Sequence, residues 1–343
     1  MNSQNSNPRI DRIEPAFALP GGEVRIVGTH LRPHELRHPI VNFGDVSGSV
    51  VIGADEFVVA RVPEGASSGP VTIATNGSSS NPQQVGVAVP IAENLHPVAN
   101  PALDPDGNIY ATFSGSRGQK VPVAIYKVDT DYNVKPYVTE MMNATGLAVD
   151  NESYLYVSSR HDGTVYRVAP NGTMQAYAEG MGVATGIAFD SELNLFVGDR
   201  SGTIFKIARD RQIYVYATLE PSVSAYHLAV GPNGNLFVSG PTTSSYDSVY
   251  EIDSHGTVST YYRGLGRPQG LAFDAEGNLY VAASLAGKRG IVRITPERQA
   301  SLAIAGQNLV GLAFAPGRSV VLATGSALYH LVWGIAGHPL IPE

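Results

Sequence analysis

The stretch GLAFDAEGNLYVA, residues 270–282, decides how this chain folds. Two short apolar runs flank a turn rich in Asp, Gly and Asn, which is the pattern of a tight antiparallel hairpin. The phrase recurs as NPALDPDGNIYAT from Asn100, GLAVDNESYLYVS from Gly146, GIAFDSELNLFVG from Gly186, HLAVGPNGNLFVS from His227 and GLAFAPGRSVVLA from Gly311. Successive copies begin 46, 40, 41, 43 and 41 residues apart. That length holds four short strands with their turns, the unit of a propeller blade, and six such units make a closed ring.

Inside the second copy the strands are expected at Gly146 to Val149, Leu155 to Ser158, Thr164 to Val168 and Thr173 to Ala178, with Asp162-Gly163 and Asn171-Gly172 as turns. In TVYRVAP and TIFKIAR, Arg167 and Lys206 break an apolar face with period two, so these strands are half exposed. The first strand of each copy is instead apolar or small throughout, as an innermost strand beside a central channel should be. The last copy runs out after Trp333, about three strands in, and the segment Val85 to Ile91 is the expected fourth strand that closes the ring.

Residues 8–90 lack the 40-residue period and show short alternating strands about every ten residues, with Pro20-Gly21-Gly22 and Asn76-Gly77 at turns. This spacing predicts a small β-sandwich of immunoglobulin type. The chain as a whole therefore reads as all-β: a linker or disordered start at 1–7, an immunoglobulin-like β-sandwich at 8–90, a six-bladed β-propeller at 91–337 and a tail at 338–343.

Composition agrees and removes several functions. With 37 Gly, 23 Pro and 15% charged residues, short elements joined by turns are favoured over long solvated helices. A net charge of -7 without a basic run argues against a nucleic-acid partner. The absence of cysteine excludes disulfides, thiolate chemistry and Cys-ligated zinc. No stretch approaches the apolar length of a membrane span, and MNSQNSNPRI is not a signal peptide, so the chain reads as soluble. A signal peptide removed beforehand would make it extracytoplasmic, which leaves the compartment open.

The N-terminal pattern resembles a TIG/IPT domain, an immunoglobulin-like module, in Ile13-Glu14-Pro15, Pro20-Gly21-Gly22, Val24 to Gly28, Val41-Asn42-Phe43-Gly44 and Gly69-Pro70-Val71-Thr72-Ile73. The repeats resemble those of NHL-repeat propellers and, more distantly, of the gluconolactonase-like and virginiamycin-B-lyase-like six-bladed propellers. The repeated residues are turn and core positions, so the resemblance implies architecture more than activity. For the gluconolactonase-like enzymes it implies a divalent ion, Ca or Mg, held in the channel by a Glu, Asn residues and an Asp, with Asn100 at one such position. The matching positions here are Gly146, Gly186, Gly270 and Gly311, flanked by Thr145, Thr185, Gln269 and Val310, without a carboxylate.

Chemistry is sought where the loops before each first strand and after each second strand share one face. The opening Gly of the motif is replaced by Asn100 in the first copy and His227 in the fourth, which places the two across the channel from each other. Ser159-Arg160-His161-Asp162 and Gly198-Asp199-Arg200 follow the second strands of adjacent copies. The candidate catalytic pair is His227 with Asp199; the candidate ligand-binding set is Asn100, Arg160, His161, Arg200, Tyr226 and Gln269. Two guanidiniums at one mouth suit a carboxylate or phosphate. Against this stands the plainer alternative that His227 merely lines the channel and that Arg160, Asp162, Asp199 and Arg200 form loop ion pairs.

The repeated Asp104, Asp150, Asp190 and Asp274 precede tight turns and are expected to cap backbone amides. His30, His34 and His38 have helical spacing, but Pro33 and Pro39 interrupt it. No Gly-x-Ser-x-Gly elbow, His-Glu-x-x-His helix or Walker loop is present. The favoured function is therefore binding of a small polar or anionic ligand, a glycan or a protein at the propeller mouth. The alternatives are a lactone hydrolase or lyase acting on a sugar-derived or anionic substrate, and a structural platform without a small-molecule ligand.

Overall fold

The structure of the protein, a computed structural model, describes residues 7–34, 37–116, 118–244 and 246–339. The expected start at 1–6 and most of the expected tail, 340–343, lie outside the described residues. Every regular element among the described residues is a strand. The chain divides into two compact units.

The first unit comprises the N-terminal region through Val89 together with Lys288–Ile291 and Leu302–Asn308. Arg9–Glu14, Glu23–Thr29, Phe57–Arg61 and Val46–Gly53 pair antiparallel in that order. Gln83–Val87, Gly69–Thr75 and Ile40–Phe43 also pair antiparallel, and Ile40–Phe43 pairs in turn with Val46–Gly53. Alternation decides what faces inward: in Glu23–Thr29 the side chains of Val24 and Ile26 are buried. These join Ile10, Val41, Phe43, Val58, Val71, Ile73 and Val85 in one apolar core. The fragment Phe17–Ala18 runs parallel to Gln83–Val87 and also meets Ala305.

The second unit carries the repeats apart from Lys288–Ile291 and Leu302–Asn308. Ala102–Leu103, Ile109–Thr112, Ile125–Val128 and Val134–Val138 form one four-stranded antiparallel sheet. Ala144–Val149, Leu155–Ser159, Val165–Val168 and Met174–Ala178 form the next, and Ala184–Phe189, Leu195–Asp199, Thr203–Ile207 and Ile213–Thr218 a third. In the fourth copy His227–Val230, Leu236–Ser239, Asp247–Ile252 and Val258–Gly266 pair in the same way. Its last strand extends further and pairs with Leu279–Leu285 of the fifth copy, so these two copies share hydrogen bonds. The arrangement is propeller-like: successive sheets press apolar faces together, as where Tyr156 meets Phe189 at 4.8 Å and Phe237 meets Phe273 at 4.7 Å, both edge to face.

The last copy supplies Leu309–Ala315, Ser319–Thr324 and Ala327–Val332, and its fourth strand is Val89–Glu93. The expected segment, Val85 to Ile91, is thus shifted. Gln83–Val87 is taken by Gly69–Thr75, and the break falls at Ala88, whose amide bonds the Ala18 carbonyl. Of the expected tail, His338 is tied down by its amide to the Phe273 carbonyl.

The repeated acids cap their turns. Asp274 accepts from the backbone amides of Glu276 and Asn278, from the Asn278 side chain and from the Tyr280 hydroxyl at 3.0 Å. Asp104 and Asp150 do the same work with Asn108, Tyr110, Tyr154 and Tyr156. Third-strand cations stand nearby, Lys127 at 3.7 Å from Asp104 and Arg167 at 3.9 Å from Asp150. The motif D-x-x-G-N-x-Y is therefore a local network of one carboxylate with its turn.

The opening glycines answer a different constraint. A Cβ on Gly146 would stand 2.4 Å from the Thr185 carbonyl oxygen, and one on Gly186 2.4 Å from that of Tyr226. First strands of neighbouring copies touch backbone to backbone, so there is no room for a side chain.

Candidate functional site

One cleft in the second unit, of about 320 Å³, is bordered by the two kinds of loop that share one face. Thr145, Thr185, Gln269 and Val310 each stand one residue before the motif's opening position, and Arg160, Arg200 and Gly325 follow second strands. His96, Pro97, Val98, Val183, Val223, Ser224 and Ala225 complete the lining.

Arg160 and Arg200 occupy equivalent places in successive copies. Each backbone amide bonds the carbonyl three residues before its own copy's motif begins, Asn143 for Arg160 and Val183 for Arg200. The side chains then diverge. Arg160 Nη2 donates back to the Gly115 carbonyl at 3.0 Å and to Ser114 Oγ at 3.3 Å. Arg200 donates forward from Nε to the Ser222 carbonyl at 3.2 Å, and its terminal nitrogens have no hydrogen-bond partner among the described residues. Among the described residues the cleft lining holds no acidic side chain. Both guanidiniums thus reach backbone carbonyls of neighbouring loops. Asp162 accepts from Thr164 and Tyr166.

His227 and Asp199 are not joined. The imidazole is 4% exposed, lies outside the cleft lining, and burial lowers its pKa from 6.5 to about 4. Asp199 accepts from the Val183 amide at 2.8 Å and from the Ser201 hydroxyl, and so shapes the loop that carries Arg200. Tyr226 is also buried: its amide donates to Thr185 Oγ1, its hydroxyl to the Glu220 carbonyl, and burial raises its pKa. His161 is exposed, with its amide on Ser159 Oγ, and does not border the cleft. Gln269 borders it with a carboxamide that makes no hydrogen bond to a described residue.

Asn100 binds protein backbone. Its Nδ2 donates to the Leu271 carbonyl at 2.8 Å and its Oδ1 accepts from the Leu312 amide at 3.1 Å. It does not face His227 as a free channel group. With both ends of that amide engaged and two guanidiniums at the mouth, the residues present do not suit a Ca or Mg ion, which takes oxygen donors and carboxylates. Among the described residues no three His, Asp or Glu side chains gather at metal-binding distance.

Sequence reasoning missed His96. It precedes the first copy and so falls outside the repeat register, although it stands in the loop before a first strand, the kind of place searched in the other copies. Its Nδ1 lies in hydrogen-bond contact with the Ser114 carbonyl. A carbonyl only accepts, so the proton sits on Nδ1 and Nε2 is left with its lone pair in the neutral ring. Ser114 thereby touches both His96, through its carbonyl, and Arg160, through its hydroxyl.

No protein-family model matches the chain, and no curated protein matches it in sequence. Solved structures do match in fold. An auxiliary nutrient binding protein from Bacteroides thetaiotaomicron is 10% identical, with 95% of this chain and 98% of that one covered at a TM-score of 0.57. A gluconolactonase from Xanthomonas campestris is 13% identical, with 76% and 89% covered at 0.56. A catalytically inactive virginiamycin B lyase from Staphylococcus aureus, crystallised with quinupristin, is 13% identical, with 96% and 97% covered at 0.51. At such identities the likeness is one of fold alone, and it agrees with the strand pairing: the chain has an all-β, propeller-like fold of the kind found in gluconolactonase-type proteins.

Proposed function

We propose that this chain is a ligand-binding protein whose propeller mouth captures a small anion. The observation that carries the reading is the pair Arg160 and Arg200, brought by successive repeats to one cleft whose described lining holds no acid. Arg200 offers terminal nitrogens with no hydrogen-bond partner among the described residues, and a guanidinium fork matches a carboxylate or phosphate bidentately. Likeness in fold to a nutrient-binding protein along nearly its whole length supports binding as the role. In the architecture that goes with this reading, the repeats are the six blades of a ring over 91–337, closed by Val89–Glu93, and 8–90 is an immunoglobulin-type, TIG/IPT-like sandwich. The support is the pairing of Val89–Glu93 with Ala327–Val332 and the single apolar core of the N-terminal unit.

Titration calorimetry at low salt with inorganic phosphate, acetate and hexanoate tests the binding role. Arg200→Gln is expected to weaken the best of these at least about tenfold, with folding unchanged, because it removes a charge-assisted partner. Equal binding by the wild type and the variant, or no binding of any anion, would remove this function.

A second reading, a lactone hydrolase or lyase, is favoured by His96 alone. With Nδ1 fixed on the Ser114 carbonyl, Nε2 is free to take a proton, and the guanidiniums would stabilise the developing negative charge. A panel of lactones and unsaturable sugar acids tests it. Turnover abolished by His96→Gln supports it, and absence of turnover from the whole panel counts against it.

A further inference from the structure

We infer that the anion taken by this cleft is amphipathic, a carboxylate or comparable oxyanion on an aliphatic body, and not a polyhydroxylated sugar acid. The inference rests on the anion reading above and narrows it. Beside the arginines and the polar Thr145, Thr185, Ser224 and Gln269, the lining carries an apolar set: Pro97, Val98, Val183, Val223, Ala225 and Val310. Val223 is 47% exposed, so the cleft leaves apolar surface open to water that a hydrocarbon body would cover.

Two of the three lining hydroxyls that would greet a sugar are already engaged. Thr185 donates to the Gly198 carbonyl at 2.8 Å and Thr145 to the Asn143 carbonyl at 3.1 Å. The described lining contains no Tyr, Trp or Phe to stack on a sugar ring, and the Tyr226 hydroxyl is turned to the Glu220 carbonyl. A polyol bound here would set more hydroxyls against valine side chains than Ser224 and Gln269 can serve, and strip the remainder of water without partners. Hexanoate would leave its methylenes on those valines and its carboxylate between the arginines.

Hexanoate and gluconate share a six-carbon chain and a single charge, and differ in hydroxylation. On the full chain, hexanoate is expected to bind at least about tenfold tighter than gluconate, the worth of two or more buried methylenes, and at least about tenfold tighter than the neutral hexanamide, the worth of a charge-assisted pair. Val223→Ser, a change at an exposed position, should narrow the hexanoate to acetate ratio. Gluconate binding as tightly as hexanoate, or an unchanged ratio in Val223→Ser, would overturn the apolar assignment and leave the anion site standing. Hexanamide binding as tightly as hexanoate, or no acid binding at all, would overturn the anion reading itself.

Discussion

Asn100 and Leu271, 171 residues apart in sequence, are joined by a hydrogen bond from the Asn100 side-chain amide to the Leu271 carbonyl, and the same amide's oxygen holds the Leu312 backbone. One side chain thus ties the first copy of the repeat to the fifth and the last. Asn100→Ala leaves a carbonyl and an amide without partners and is expected to destabilise the fold by about 1–3 kcal/mol, read as a lower midpoint in denaturant. Ligand affinity should stay as it is. Unchanged stability with lost binding would move Asn100 into the ligand site.

The turn network makes a second expectation. Tyr280 donates to Asp274, which also holds two turn amides. Removing the hydroxyl in Tyr280→Phe takes away a bond to a charged acceptor in a buried place and should cost about 1.5–3 kcal/mol. A cost near zero in a denaturant titration would mean that the amides alone satisfy the carboxylate.

Close approach of first strands separates two glycines. A Cβ on Gly146 meets the backbone of the neighbouring copy at 2.4 Å, while one on Gly325 meets nothing within 4 Å. Gly146→Ala is expected to destabilise by roughly 1–3 kcal/mol through overpacking, and Gly325→Ala to stay within about 0.5 kcal/mol. Equal stability of the two variants would contradict the backbone contact.

Acid stability follows from His227. Burial holds its pKa near 4 in the folded chain against 6.5 in the ordinary ring. Between pH 6.5 and 4 the unfolded chain takes up a proton that the folded chain refuses, so stability falls as pH drops through this window and is untouched above it. His330 and His338, lowered by burial as well, act in the same direction. Comparison with His227→Gln isolates the one ring: the wild type should lose roughly 3 kcal/mol more than the variant between pH 6.5 and 4. Parallel pH profiles would show that the imidazole is solvated.

What could be read from the sequence was what is local in it. The Asp274, Asn278 and Tyr280 network lies within one turn and its flanks, so composition and spacing carry it. The opening glycines could be seen to recur, but their reason lies in a neighbouring strand about 40 residues away. Asn100 stood out as an exception to the repeat and drew a ligand role, because nothing in its neighbourhood points to Leu271 or Leu312. His96 was invisible because it precedes the first copy. The closing strand was placed four residues early because QQVGVAVPIAE runs two strands together with one alternation, and only pairing separates them at Ala88. Arg160, Arg200 and Gln269 border one cleft, as their register positions imply, whereas His227 and Asp199 occupy similar positions and are buried.

The central claim, that Arg160 and Arg200 form an anion site at the propeller mouth, is tested most directly by a crystal structure of the chain soaked with hexanoate. The account predicts a carboxylate within about 2.7–3.0 Å of an Arg200 terminal nitrogen, with its chain running toward Val183 and Val223. Density for the acid elsewhere, or an empty cleft at saturating hexanoate with Arg200 closed onto protein atoms, would contradict it.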